Sequence, residues 1–206
     1  TALRPTHSRE AIAPLVTETP GWEEVERAMA AGKGLILVAG HLGNWELGGA
    51  YLAARGVPID VIVRRMANPR FDRYLNETRE RIGMRVVYDD EAARRTPRSL
   101  REGRAVAFLA DQGVLGLAST FVPFFGRPAK TPRGPAVFAL RLDVPVVFAA
   151  PIRQPGGRYH FVFERVAGPD HERVGAPADR VALARRRLAR GLGRDGLHAR
   201  LVVIPH

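Results

Sequence analysis

Hydrophobic residues in this chain fall into short runs that are bounded by glycine, proline or charged residues. Several of these runs are continuously apolar over about four to eight residues, which is typical of strands buried on both faces of a sheet. The predicted strands occupy residues 34–40, 58–63, 84–88, 105–110, 120–125, 144–150 and 159–166. None of the apolar runs approaches the roughly 18 residues that a membrane-spanning helix requires.

The segments between the predicted strands have the periodicity of helices. In one of them Leu47, Tyr51 and Ala54 recur at helical spacing. The predicted helices occupy residues 45–54, 69–82, 91–102, 132–142 and 178–192. Strands that alternate with helices in this way predict an α/β fold with a mostly parallel central sheet flanked by helices. The length and composition favour a single domain over residues 1–206.

His41 and Glu46 lie where the first predicted strand gives way to a helix. Ligands of open α/β sheets bind in the crevice at the carboxyl ends of the strands, so His41 occupies a favourable position for chemistry. Gly40 and Gly43 allow a turn in which Glu46 reaches back to the histidine from the first turn of the helix. A neutral imidazole oriented by a carboxylate is a general base. The residues also fit a capping histidine beside an unrelated first-turn acid, and spacing alone leaves both interpretations open.

Asp111 follows another predicted buried strand directly. If that strand runs parallel to the strand before His41, both side chains lie at the same edge of the sheet. A buried acid there requires a partner, and the candidates are Arg64, which follows a third strand, and Arg79 on the next helix. The alternative is an aspartate that caps a turn before Gly113.

The formal net charge of +11 comes almost entirely from arginine, because Lys33 and Lys130 are the only lysines. Arginines cluster at residues 94, 95, 98, 101 and 104 and at residues 185, 186, 187 and 190. Aromatic residues do not interleave with these clusters, which disfavours a nucleic-acid partner. An anionic membrane surface or a phosphate group is the favoured partner. The alternatives are solvated helix faces and a compositional bias of the source genome.

Composition excludes several other kinds of chemistry. The chain has no cysteine, so it has no thiol nucleophile and no cysteine-bound metal. None of its three serines lies in a G-x-S-x-G motif, which argues against a serine hydrolase. The histidines lack metal-ligand spacing, and no metal is expected.

Three phenylalanines cluster in residues 121–125. A strand in the hydrophobic core explains them without any function. The alternative is an apolar wall that accepts an acyl chain or enters the membrane interface.

A series of motifs follows His41 along the chain. In order they are Gly40-His41-Leu42-Gly43-Asn44-Trp45-Glu46, Arg64, Asn68-Pro69, Asp72, Arg79-Glu80-Arg81-Ile82-Gly83, Leu109-Ala110-Asp111-Gln112, Phe124-Phe125-Gly126-Arg127-Pro128-Ala129, Thr131-Pro132 and Gly134-Pro135-Ala136. In order and spacing they resemble the bacterial lipid A biosynthesis acyltransferases, which add lauroyl or myristoyl groups to Kdo-lipid A. That family belongs to the lysophospholipid acyltransferase superfamily. The resemblance covers about residues 20–166.

The resemblance implies transfer of a fatty acyl group from acyl carrier protein or CoA to a hydroxyl group of a lipid A precursor. It implies His41 as the general base and Glu46 as its orienting partner. Arg64, Arg79, Asp111, Asn44 and Gln112 match supporting or substrate-binding positions. The thioester is a co-substrate, and no further cofactor is implied.

The same resemblance implies a place at the cytoplasmic face of the bacterial inner membrane, peripheral for this chain because the membrane-anchoring helix that normally begins the family is not in the sequence. Residues 197–206 do not match the family's usual end. Two alternatives remain at this level. One is an acyltransferase for another glycolipid, such as phosphatidylinositol mannoside, or for a lysophospholipid. The other is a non-enzymatic protein that binds nucleic acid or an anionic surface.

Overall fold

The computed structural model describes residues 8–112, 118–124 and 126–168. The strands are β1 (Val16–Glu18), β2 (Leu35–Ala39), β3 (Ile59–Val63), β4 (Met84–Tyr88), β5 (Ala105–Leu109), β6 (Ser119–Phe124), β7 (Arg127–Pro132), β8 (Val146–Arg153) and β9 (Tyr159–Ala167). The helices are α1 (Arg9–Ile12), α2 (Trp22–Ala30), α3 (Trp45–Ala54), α4 (Pro69–Ile82), α5 (Ala92–Arg101) and α6 (Gly134–Leu142). The predicted helix at 178–192 and the second arginine cluster lie outside the described residues.

Seven of the strands form one sheet in the order β1-β9-β8-β2-β5-β3-β4. Every neighbouring pair is parallel except β8 with β9. This arrangement confirms the predicted α/β fold with a mostly parallel sheet. The exception has a local cause: β8 and β9 are joined by a short turn through Pro155–Gly157, and a connection of that length can only form a hairpin.

Helices cover both faces of the sheet, and the side chains of β2 pack against the helices on both sides. Leu35 and Leu37 pack in the core with α2 and α3, whereas Ile36 packs in the core with α5 and α6. Alternate side chains of a strand point to opposite faces, so a strand buried on both sides must be apolar at every position. The continuous apolar runs of the sequence therefore mark this sheet.

The sequence pattern predicts nothing before residue 34, whereas the structure has α1, β1 and α2 there. Trp22, Val25 and Ala28 form the buried face of α2 at intervals of three residues, a spacing that indicates a helix. The three-residue strand β1 is too short for any periodicity to identify it.

The phenylalanine-rich segment forms a strand, as predicted, but that strand is not part of the central sheet. The apolar wall considered as its alternative stays a prediction. Among the described strands, β6 pairs with β7 alone, and the two form an antiparallel sheet separate from the central one. Val122 is buried in it, while Phe121 is the most exposed large apolar side chain among the described residues. Phe125 lies outside the described residues. The predicted helix at 132–142 begins at Gly134 because residues 127–132 pair with β6.

The first arginine cluster is largely a solvated helix face. Arg94 and Arg95 pair with Glu91, and Arg98 pairs with Glu102, all on the exposed side of α5. Arg104 differs, because it binds the fully buried carboxylate of Asp60. Within the described ranges, no helix combines the length and apolar character needed to cross a bilayer.

Candidate active site

A tight turn between β2 and α3 carries His41 to the carboxyl edge of the sheet. Gly43 in this turn has φ of +59°, and a Cβ there would come within 2.4 Å of the Pro151 carbonyl oxygen. Only glycine fits that combination of backbone angle and close approach. Asn44 ends the turn as the cap of α3, accepting a hydrogen bond from the Leu47 N–H at 3.2 Å.

His41 and Asp111 meet across the neighbouring ends of β2 and β5, which run parallel and in register. His41 Nδ1 lies 2.8 Å from Asp111 Oδ1, and the His41 backbone N–H donates to Asp111 Oδ2 over 2.8 Å. The Trp45 ring packs against the imidazole in a T-shaped arrangement, with 4.9 Å between the ring centroids. The histidine is thus held by both oxygens of one carboxylate and by an aromatic neighbour.

Two opposing effects act on the pKa of Asp111. Burial raises this pKa, whereas the hydrogen bonds from the His41 side chain and backbone lower it. The lowering is the larger effect, so the net shift of the pKa is downward. The carboxylate is therefore ionised near neutral pH and can only accept hydrogen bonds. Neutral His41 must then carry its proton on Nδ1, which leaves the Nε2 lone pair available.

Glu46 has a different partner from the one that the sequence predicts. Its carboxylate forms a two-pronged ion pair with Arg79 of α4, in which Nε donates to Oε2 at 3.1 Å and Nη2 donates to Oε1. Among the described residues, it forms no hydrogen bond with His41. Glu46 sits on the first turn of α3 and His41 in the preceding turn, and Asp111 from the adjacent strand takes the place at Nδ1. The predicted direct pair is corrected to two pairs, His41 with Asp111 and Glu46 with Arg79.

A polar network extends from Arg79 along α4. Arg79 Nη1 donates to Asn76 Oδ1 at 2.7 Å, and the Asn76 amide donates to Asp72 and to the Tyr88 hydroxyl. The Tyr88 hydroxyl donates to Asp72 at 2.7 Å. Asp72 also accepts the Met66 backbone N–H, so the network ties α4 to β4 and to the β3–α4 loop. A groove of about 470 Å³ runs beside it, and the residues lining that groove do not include His41.

The remaining predicted supporting residues fall into two groups. Arg64 lies at the same sheet edge, exposed, with Nε 3.9 Å from Asp89, and not against Asp111 as considered from the sequence. Gln112 is exposed next to Asp111. Asn44 is buried and caps α3, which accounts for its presence without a substrate.

Sequence reasoning missed Asn76 and Tyr88 as members of the site's surroundings. Asn76, Arg79 and Asp72 are spaced by three and four residues on a helix, and that spacing places them on one face. Tyr88 carries no such signal, because it joins them only through the packing of β4 beside α4. Among the described residues, no group of three or more His, Cys, Asp or Glu side chains has an arrangement suited to a metal ion.

Comparison with known proteins gives one match to a family and several to individual proteins. The family model described as bacterial lipid A biosynthesis acyltransferase matches residues 4–172. A phosphatidylinositol mannoside acyltransferase of Mycobacterium tuberculosis (strain CDC 1551 / Oshkosh) is 30% identical over 125 residues, covering 58% of this chain. Its counterpart in Mycolicibacterium smegmatis is 29% identical over 118 residues and 55% of this chain.

A lipid A biosynthesis acyltransferase of Haemophilus influenzae is 29% identical over 110 residues, covering 53% of this chain. These alignments include 39%, 38% and 35% of the lengths of the three relatives, in the order given. The chain therefore spans well under half the length of each of these three relatives.

Proposed function

We propose that this chain, which belongs to the bacterial lipid A biosynthesis acyltransferase family, moves a fatty acyl group from an acyl thioester to a hydroxyl group of a lipid A precursor. The observation that carries the proposal is the His41–Asp111 pair at the carboxyl edge of the sheet. The geometry is that of a general base whose proton-accepting nitrogen is selected by a carboxylate.

In the proposed reaction, Nε2 of His41 takes the proton of the acceptor hydroxyl as its oxygen attacks the thioester carbonyl carbon. Asp111 holds the Nδ1 proton and stabilises the positive charge that forms on the ring. Collapse of the tetrahedral intermediate breaks the carbon–sulfur bond, and the imidazolium returns its proton to the departing thiolate. The products are an ester and a free thiol, and His41 regains its starting protonation state.

The Glu46–Arg79 pair serves as a clamp in this proposal. It joins the first turn of α3 to α4 on one side of the turn that contains His41. A planar guanidinium held by both oxygens of a carboxylate fixes orientation as well as distance. Arg64, exposed at the same edge, is the proposed contact for a phosphate group of the acceptor.

Phosphatidylinositol mannoside is the second candidate acceptor. The relatives from Mycobacterium tuberculosis and Mycolicibacterium smegmatis carry that activity in their names and match more of this chain than the lipid A enzyme of Haemophilus influenzae does. Both acceptors are phosphorylated glycolipids with free hydroxyl groups, so the catalytic pair serves either one. The donor is proposed to be acyl carrier protein or CoA, and the place of action is the cytoplasmic face of the inner membrane.

Mass spectrometry of lipids tests the proposal directly. The chain is incubated with a lipid A precursor or with a phosphatidylinositol mannoside, each with acyl carrier protein and CoA thioesters in parallel. A mass increase of one acyl group on the lipid A precursor is expected. Acylation of the mannoside alone would support the second candidate, and salt-dependent binding to duplex DNA without acylation of either lipid would favour the non-enzymatic alternative.

Substitutions of single residues test the proposed roles of His41 and Glu46. His41→Ala is expected to lower the turnover number by roughly 10²–10⁴-fold, the usual contribution of a general base. Glu46→Gln should lower it less, because the clamp acts through the turn and not on the proton. The matched control for loss of a carboxylate is Asp143→Asn, because Asp143 lies on the loop after α6 and forms an exposed ion pair with Lys33. Unchanged turnover in His41→Ala would reject the general-base role.

A further inference from the structure

The first turns of α4 lie beyond the level of the catalytic pair. β3 is parallel to β5, so the loop after β3 leaves the sheet at the edge where His41 and Asp111 meet. Arg79 contacts Glu46 from the third turn of α4. At 1.5 Å per residue, Phe71 is about 12 Å further along the helix toward that edge. The start of α4 therefore lies at the edge of the sheet that carries His41 and Asp111.

This part of the molecule concentrates exposed apolar side chains. The exposed large apolar residues among those described are Met66, Phe71, Tyr74, Phe121 and Leu140. Three of the five lie within nine positions, and the Phe71 side chain is 47% exposed. The Phe71 and Tyr74 rings are stacked at 13° between planes, with centroids 6.3 Å apart. They form a small aromatic platform facing solvent.

Positive charge surrounds the platform. Arg70 and Arg73 are exposed on the same turns of α4 and form no ion pair with another described residue. The only acid among residues 64–74 is Asp72, whose oxygens already accept hydrogen bonds from Met66 and Tyr88. Further along α4 the exposed charges are Glu77, Glu80 and Arg81, so the excess of positive charge is confined to the start of the helix.

We infer that Met66, Arg70, Phe71, Arg73 and Tyr74, here called the α4 tip, dock the protein on the interface of an anionic lipid bilayer. Aromatic rings with arginine beside them suit the headgroup level, where the rings enter the acyl boundary and the guanidinium groups bind lipid phosphates. Docking there would turn the edge that contains His41 toward the bilayer. The inference rests on the proposed function only in taking the acceptor to be a membrane lipid.

An acidic protein, such as an acyl carrier protein, is the other partner that a basic apolar surface can bind. Met66 and Arg73 line the edge of the groove beside α4, whereas the stacked Phe71 and Tyr74 rings lie outside that groove and face solvent. The bilayer is favoured because exposed aromatic rings outside a pocket suit a lipid interface, whereas the hot spots of protein interfaces lie in well-packed pockets. An experiment can distinguish the two partners, because binding to vesicles can be measured with no other protein present.

Co-sedimentation with vesicles tests the inference on the full chain. Phosphatidylcholine vesicles with phosphatidylglycerol are expected to bind the protein, and vesicles of phosphatidylcholine alone to bind it much more weakly. Arg70→Gln with Arg73→Gln should lower the partition coefficient on anionic vesicles by about fivefold for each arginine. Phe71→Ser with Tyr74→Ser should lower it on both kinds of vesicle.

Matched variants elsewhere on the surface are the controls. Arg94→Gln with Arg98→Gln removes two exposed arginines of α5, and Leu140→Ser removes an exposed apolar side chain of α6. Neither should change vesicle binding beyond the general effect of net charge. Equal losses in the α5 and α4 variants would overturn the inference, as would α4-tip variants that keep full vesicle binding but lose transfer from acyl carrier protein.

A tryptophan reporter measures the insertion itself. Phe71→Trp is expected to be quenched by brominated lipids in anionic vesicles, whereas Leu140→Trp is not. Protein that binds vesicles through the tip but acylates no lipid would refute the proposed function and leave this inference standing. Acyl transfer with no vesicle binding would do the opposite.

Discussion

At the scale of the residue, Asp111 decides which nitrogen of His41 holds a proton. Its side chain is 38% exposed and that of His41 is 30% exposed, so both are accessible to a substrate without being fully solvated. An ionised carboxylate at Nδ1 accepts a hydrogen bond and cannot donate one, and the ring tautomer follows from that.

Asp111→Asn is expected to lower kcat/KM by roughly 10²–10⁴-fold while leaving the fold intact. The amide of asparagine can donate its N–H to Nδ1, which moves the ring proton to Nε2 and removes the base. Steady-state kinetics beside the Asp143→Asn control measures the effect. An Asp111→Asn enzyme with near-normal kcat/KM would show that Asp111 does not select the tautomer.

The pKa of Asp111 should be measurably below its ordinary value of 3.8, because the His41 hydrogen bonds outweigh burial. A lowered carboxyl pKa stabilises the fold above about pH 3.8, and that stabilisation disappears as the pH falls through the lowered pKa. Carboxyl ¹³C NMR titration measures it. The expected midpoint is below 3.8 in the native chain and higher in His41→Ala, which has no side-chain donor to Asp111. Identical midpoints would contradict the assigned cause.

At the scale of the element, the β2–α3 turn requires a glycine at position 43, whereas α3 does not require one at position 48. Gly43→Ala is expected to lower the free energy of unfolding by about 1–3 kcal/mol, through a left-handed backbone and a contact with the Pro151 carbonyl oxygen. Gly48→Ala in α3 has open space and should raise it by about 0.5–1 kcal/mol. Urea unfolding of the two variants gives opposite signs if the turn is built as described.

The hydrogen-bond network of Asp72, Asn76 and Tyr88 is the second feature at this scale, and it holds α4 against β4. Tyr88→Phe removes a donor to Asp72 and an acceptor for Asn76, and a loss of about 1–2 kcal/mol in unfolding free energy is expected. Tyr74→Phe removes a hydroxyl from an exposed residue of the same helix and should change the unfolding free energy by less than about 0.5 kcal/mol. Equal effects of the two substitutions would show that the network does not stabilise α4.

At the scale of the whole molecule, the His41–Asp111 pair and the buried ion pairs of Asp60 lie at opposite ends of the sheet. Asp60, near the beginning of β3, is fully buried and binds Arg85, Arg104 and Ser99. β2, β3 and β5 run in parallel from this end to the edge where His41 lies. The Asp60 cluster can therefore affect the amount of folded protein without touching the site.

Asp60→Asn is expected to lower the free energy of unfolding by about 2–4 kcal/mol, because two arginines lose their shared carboxylate. The loss should be at the lower part of the range for buried pairs, since both guanidinium groups keep some contact with water. Activity per folded molecule should stay unchanged. Thermal unfolding with active-site titration separates the two quantities, and a specific loss of turnover would mean that the two ends of the sheet are coupled.

The sequence by itself determined the alternation of strands and helices, the mostly parallel sheet, and the position of His41 and Asp111 at one edge. These follow from local periodicity and from the direction of parallel strands, which are encoded over a few residues. The motif order from Gly40 to Ala136 also placed the chain in its family.

Only the tertiary structure decided which charged groups pair. His41 and Glu46 are five positions apart, yet the partner of His41 lies 70 residues away and that of Glu46 lies 33 away. The physical reason is that a side chain's partner is set by which strand or helix packs alongside, and many arginines and acids in this chain are chemically equivalent candidates. The exposed platform at the start of α4 was hidden for the same reason: a phenylalanine in a helical pattern predicts burial until the packing shows that nothing covers it.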